Sequence, residues 1–108
     1  MITRRDVFQA ISDPSRRAIL SLLMAQTLTA GAIAAVFDST RSTISKHLKI
    51  LTECGLLSQR EQGREVYYTL KPENMREIAD WLLPFKQLWE SRFKKLDNIL
   101  DQMKSDEQ

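Results

Sequence analysis

The stretch from residue 38 to residue 51, "DSTRSTISKHLKIL", is polar for its first half and then carries apolar residues at helical spacing. Ile44, Leu48 and Leu51 fall at i, i+4 and i+7, so one face is built to be buried. The front carries Arg41, Ser42, Thr43, Ser45 and Lys46, with Lys49 a turn further on, where an ordinary surface helix shows long side chains of mixed charge. Thr40 is the expected cap, with Ser39 as the alternative, and Gly55 the expected end. A short, polar, cationic front suits a helix that must bring its backbone close to the edges of base pairs.

Upstream, Val7, Phe8 and Ile11 predict a short amphipathic helix over residues 3–12. Asp13-Pro14 then marks a helix start, an acidic cap followed by a proline suited to the first helical position. That helix turns Ile19, Leu22 and Leu23 inward and Arg16 and Arg17 outward, and runs out near Gln26. Thr29 caps the next one, "AGAIAAVF", whose small residues predict a close crossing by a neighbour. "DST" is the turn that leads into the polar-fronted helix.

Downstream the texture changes. "LLSQREQGREVYYTL" alternates loosely and predicts a β-hairpin with its turn around Glu61 to Arg64 and at least one of Tyr67 and Tyr68 in the core. Pro72 opens a last helix, in which Leu82, Trp89, Leu96 and Met103 recur every seven residues, joined by Phe85, Phe93, Ile99 and Leu100. Pro84 is expected to kink or restart it. Arg92 interrupts the stripe and argues against a simple two-stranded coiled coil. Four helices, a hairpin and a helix (α-α-α-α-β-β-α) predict a mainly helical winged helix-turn-helix, with the hairpin as its wing.

Bulk composition supports this reading. The 108 residues are enough for one domain, taken as 1–108, with 72–104 as a C-terminal helix that contributes to dimerisation. Hydrophobic residues are 43% and charged residues 28%, a globular balance. Arg16-Arg17 before "AILSLLMAQTLTAGAIAA" mimics a secretory signal, but polar residues break the apolar run and it reads as two short helices. No run of 18 apolar residues exists, and one cysteine allows no internal disulfide, so a reducing cytoplasm is the expected location. The net charge of +2 is unevenly spread: residues 41–64 carry +3 and residues 65–108 carry −2. A basic middle suits a bound polyanion.

"AISDPSRRAILSLL", "STISKHLKILTECGLL" and "EQGREVYYTLKP" together resemble the three signature stretches of the ArsR/SmtB family of bacterial repressors, over roughly residues 6 to 100. "WLLPFKQLWESRFKKLDNIL" is similar to the tail of a branch without the founding metal sites. The resemblance implies double-stranded operator DNA as partner and a homodimer formed by the first and last helices. Val7, Phe8, Leu82, Phe85, Trp89, Phe93, Leu96 and Leu100 would make that interface. It points to the same DNA-reading residues as the chemistry does. Arg41 suits a bidentate contact to guanine, worth about 1–3 kcal/mol of discrimination. Ser42, Thr43 and Ser45 suit nearby bases or phosphates, and Lys46 and Lys49 either. Arg60 and Arg64 flank the wing turn, and Thr29 heads a helix whose amides could hold phosphate.

The resemblance also frames what switches the protein. Metal-sensing members carry paired cysteines where this chain has Thr29 and Gly31, and the last helix has no histidine, so no metal response and no cofactor are expected. Cys54 is expected to pack as a small hydrophobe rather than act as a redox switch. His47, the only histidine, is expected to hydrogen-bond structurally. One histidine, one cysteine, no Gly-rich phosphate loop and no carboxylate pair leave no catalytic constellation. The alternatives are a winged-helix module that binds protein and a regulator gated by a small molecule held by Trp81, Phe85 and Trp89.

Overall fold

The computed structural model describes residues 6–106. Asp6 opens α1 (Val7–Ala10) with a capping box: its carboxylate accepts from the Gln9 N–H at 2.9 Å, and the Gln9 side chain accepts from the Asp6 N–H at 3.3 Å. The part of the expected helix at residues 3–5 lies outside the described residues, and α1 stops at Ala10. Its last carbonyls lack partners within so short a helix, and two arginines supply them. Arg16 donates to Ala10 O at 2.7 Å and Gln9 O at 3.0 Å, and Arg17 to Ile11 O at 2.6 Å. Arg16 is therefore half-buried rather than outside.

The second helix, α2 (Pro14–Leu23), starts on the expected cap, with Asp13 Oδ2 accepting from the Arg16 N–H at 3.0 Å. It buries Ile19, Leu20 and Leu23 and leaves Leu22 half-buried, and it ends short of Gln26. Then comes an element that the sequence reading lacked, the two-residue strand β1 (Leu28–Thr29). Thr29 also caps α3 (Ala30–Val36), accepting from the Ala32 N–H at 3.2 Å. Of the small residues expected to be closely crossed, Ala30 and Ala34 are buried, Ala32 is half-buried and Ala35 is exposed. At Gly31 the close crossing does not hold, since an added Cβ would meet nothing within 4 Å.

The turn into α4 (Arg41–Glu53) is a Schellman motif. Ser39 N–H donates to Ala34 O at 3.0 Å and Asp38 N–H to Ala35 O at 3.4 Å, with Asp38 at φ +50. Thr40, not Ser39, caps α4 and accepts from the Thr43 N–H at 3.2 Å. The end of α4 repeats the motif: Leu56 N–H donates to Leu51 O and Gly55 N–H to Thr52 O, both at 3.0 Å, with Gly55 at φ +79. Both helices of the helix-turn-helix thus stop on a left-handed residue, aspartate in one case and glycine in the other.

The wing is β2 (Leu57–Gln62) and β3 (Glu65–Leu70), paired antiparallel from Leu57↔Leu70 to Gln62↔Glu65. The loop is Gly63-Arg64, with positive φ at Gly63 only, the pattern of a type II′ turn. β1 adds to the far side of β3, giving a three-stranded sheet in the order β1-β3-β2. Neither tyrosine is core: Tyr67 and Tyr68 are both half-buried. Among the described residues, Ile19, Ile33, Leu48, Leu51, Leu56 and Leu57 are the largest fully buried side chains. Each contributes about 1.5–3 kcal/mol by leaving water. They come from α2, α3, α4 and the start of the wing, so the core that fixes α4 also fixes the hairpin.

Pro72 opens a 3₁₀ turn (Pro72–Met75), and the long helix α5 (Arg76–Asp106) follows. It continues through Pro84 without restarting. The chain divides into two compact units, one ending at Glu77 and one beginning at Ile78. Along the second, Trp81, Leu82, Leu83, Phe85, Leu88, Trp89, Phe93, Leu96, Ile99, Leu100 and Met103 are all exposed. The fold is a winged helix-turn-helix, mainly helical, in the order α-α-β-α-α-β-β-α rather than the order without a first strand. No helix among the described residues is long and apolar enough to cross a membrane.

Candidate nucleic-acid interface

Ile44, Leu48 and Leu51 anchor one side of α4, at 2% exposure or less. A helix turns by about 100° per residue, so Ser42, Lys46 and Lys49 lie opposite that anchor and Ser45 lies on its flank. All four are exposed, as are Arg41 and Thr43. Arg41, Lys46 and Lys49 make no ion pair and no side-chain hydrogen bond among the described residues, so each head group is available to an anion. Two of the hydroxyls are tied to the cap: Thr43 Oγ1 accepts from Thr40 Oγ1 at 2.8 Å, and Ser42 Oγ lies 3.4 Å from the same oxygen. Thr43 also borders a cavity on the flank of the helix.

The sheet brings two further residues together. Thr29 pairs with Tyr67 and Tyr67 pairs with Arg60, so the three form one row across the strands. Directly opposite residues share a face, and Thr29 lies about 10 Å from Arg60 at the usual strand spacing. Arg60 reaches along its strand to Gln62 Oε1 at 3.3 Å. Tyr67 donates to Glu65 Oε2 at 3.1 Å, and that carboxylate raises the phenol pKa. Arg64 sits exposed in the two-residue loop at the tip. Thr29 is half-buried and its hydroxyl is already engaged as a helix cap. The α3 helix it heads has only seven residues.

His47 departs from its expected role. Its Nδ1 is closed off from solvent and has no hydrogen-bond partner, and the nearest carboxylate oxygen, Asp13 Oδ2, is 4.0 Å away. Sequence alone offered no signal for this pairing, because Asp13 and His47 come from different helices. Cys54 occupies the C-cap of α4 and is half-buried rather than buried. Of the residues assigned to a dimer interface, Val7 is buried within its own unit and Phe8 is half-buried, whereas Leu82, Phe85, Trp89, Phe93, Leu96 and Leu100 are exposed on α5.

Comparison with known proteins agrees with this geometry. A helix-turn-helix domain family matches residues 11–60. The chain is 41% identical over 80 residues to the transcriptional repressor SdpR of Bacillus subtilis, covering 74% of this chain and 89% of that one. It is 37% identical over 81 residues to a transcriptional repressor SmtB homolog of Synechocystis sp., covering 71% of this chain and 61% of the relative. Among solved structures it resembles a possible transcriptional regulator for arsenical resistance, with a TM-score of 0.69, 36% identity, and coverage of 75% and 84%. An ArsR-like transcriptional regulator from Rhodococcus sp. gives a TM-score of 0.64 at 31% identity, with coverage of 86% and 88%.

Proposed function

This chain belongs to the ArsR/SmtB family of helix-turn-helix transcriptional regulators and is a DNA-binding protein, and we propose that it is a homodimeric repressor of an operator with two-fold symmetry. Two copies of α4 enter successive major grooves, about 34–36 Å apart. Arg41, Ser42, Ser45 and Lys46 read bases or hold phosphates near the helix front, with Thr43 at its edge. Lys49, Arg60, Arg64 and Thr29 bind the backbone around them. The single observation that carries this reading is the exposed face of α4, cationic and short-chained, fixed from behind by Ile44, Leu48 and Leu51. Repression is supported by the two relatives, both transcriptional repressors, and its target is the protein's own promoter or a neighbouring operon.

The dimer forms through α5, supported by the exposed stripe Leu82-Phe85-Trp89-Phe93-Leu96-Leu100, whose mean spacing suits a helix-to-helix seam. The protein works in the cytoplasm, is not an enzyme, and does not respond to metal. Two features support that last statement: the Thr29 oxygen is committed to capping α3, and Gly31 has no side chain to offer. A binding titration against the DNA upstream of the protein's own gene, repeated over a range of salt, tests the reading. The expected result is a preference for one site over random DNA, with affinity falling steeply as salt rises. Equal affinity for all sequences would overturn it.

A further inference from the structure

A cavity of about 430 Å³ lies on the flank of α4. Ser15, Ala18 and Ile19 of α2, Phe37 and Asp38 of the turn, and His47 of α4 are among the residues that line it. His47 Nδ1 has neither water access nor a hydrogen-bond partner, although a buried ring nitrogen ordinarily has one. Asp13 Oδ2, at 4.0 Å, stands beyond hydrogen-bond range but well within electrostatic reach. That oxygen belongs to the cap of α2, where it already accepts from the Arg16 N–H. Two helices therefore present an imidazole and a carboxylate to each other across a gap slightly too wide to close.

We propose that His47 is a positioning residue for the DNA-reading helix: its ring and the Asp13 carboxylate form a latch between α4 and the start of α2, which closes when the ring is protonated and so makes operator affinity depend on pH. The inference rests on α4 being the helix that reads DNA. A neutral ring that carries its hydrogen on Nε2 turns a lone pair toward the carboxylate, and the two repel. Protonation places a donor on Nδ1 and turns the same approach into a charge-assisted hydrogen bond, with an ordinary length of about 2.7–2.9 Å.

Asp13 at the cap of α2 is the nearest carboxylate to the ring, Asp38 of the turn lines the same cavity, and Thr43 is the uncharged neighbour one turn back on α4. The Arg16 guanidinium is bound to the carbonyls of Ala10 and Gln9, so it cannot replace His47 as the partner of Asp13. The Arg16 N–H holds the Asp13 carboxyl below its ordinary range, so this group is an anion throughout the range in which imidazoles titrate. His47 is the only histidine, so an imidazole signal in that range belongs to it alone.

The test uses the full chain, its H47Q and D13N variants, and R41A as a control. Asparagine caps helices about as well as aspartate, so D13N removes the charge and keeps the start of α2. Nitrogen-15 NMR of the ring reads the tautomer and whether Nδ1 bonds to Asp13 in the free protein, and operator titrations at fixed salt from about pH 8 to about pH 5.5 read the coupling. The expected results are a several-fold rise in affinity toward the lower pH in the wild type and a flat profile in H47Q and D13N. A wild-type slope retained in H47Q or in D13N overturns the latch. If R41A weakens operator binding while H47Q and D13N titrate as wild type, only the latch falls. If R41A leaves binding intact, the reading of α4 fails and the latch with it.

Discussion

The backbone N–H of Leu56 donates to the carbonyl of Leu51 at 3.0 Å, and this bond joins the end of α4 to the start of the wing. Both leucines are fully buried, and Leu57 beside them begins β2. The wing therefore cannot shift far without moving α4. Gly55 makes the junction possible by taking φ +79 between them, and its carbonyl accepts from Asn74 Nδ2 at 2.6 Å.

Two substitutions with opposite signs test the paired Schellman ends. Gly55→Ala puts a Cβ on a left-handed residue, which costs about 1–2 kcal/mol, and the thermal midpoint should fall. Asp38→Gly removes a Cβ from the equivalent position, where φ is +50, and should stabilise by up to about 1 kcal/mol. Urea denaturation of the two variants beside the wild type checks both signs.

Cations on α4 should separate by role. Arg41→Ala is expected to cost about 1–3 kcal/mol of operator affinity and to relax preference at one base pair. Lys49→Ala should weaken all sequences alike and reduce the salt slope by about one unit. Selection from random DNA, followed by salt titrations, distinguishes the two outcomes.

The apolar stripe of α5 should govern assembly. Trp89 is half exposed at 51%, so Trp89→Asp places a charge in the proposed seam while leaving the unit that ends at Glu77 intact. Sedimentation should show monomers. Operator affinity should drop on the order of 100-fold or more, because two linked half-site contacts become one. A variant that remains dimeric would remove α5 from the interface.

Acid should weaken the start of α2. The Arg16 N–H is the largest influence holding the Asp13 carboxyl below its ordinary value of 3.8, helped by the nearby His47 and Arg16 charges and opposed by partial desolvation. A depressed carboxylate contributes stability that is complete above the ordinary value and is lost as pH falls through the lower, folded value. The advantage of wild type over D13N in urea midpoint should therefore shrink below about pH 4. By contrast, Asp13→Ala removes the cap itself and should cost about 1 kcal/mol at neutral pH.

Most of this architecture is written locally. Asp13, Thr29 and Thr40 announced their helices because a short side-chain oxygen beside free amides acts within three residues of itself. Ile44, Leu48 and Leu51 announced the buried side of α4 through period alone, and the exposed face followed by exclusion. The wing turn at Gly63 needed only a glycine between two β-rich runs. Each of these signals lies within one turn or one hairpin, which is as far as single-sequence patterns reach.

What the tertiary structure decided depends on partners distant in the chain. Leu28–Thr29 is a strand only because β3 lies beside it, and two residues have no period to read. Arg16 and Arg17 look like surface cations until the carbonyls of α1 arrive beside them. Tyr67 and Tyr68 are half-buried because the three-stranded sheet covers them only in part. Asp13 and His47 each have a plain local reading, one as a cap and the other as a structural imidazole. Only the packing of α2 against α4 sets them 4.0 Å apart.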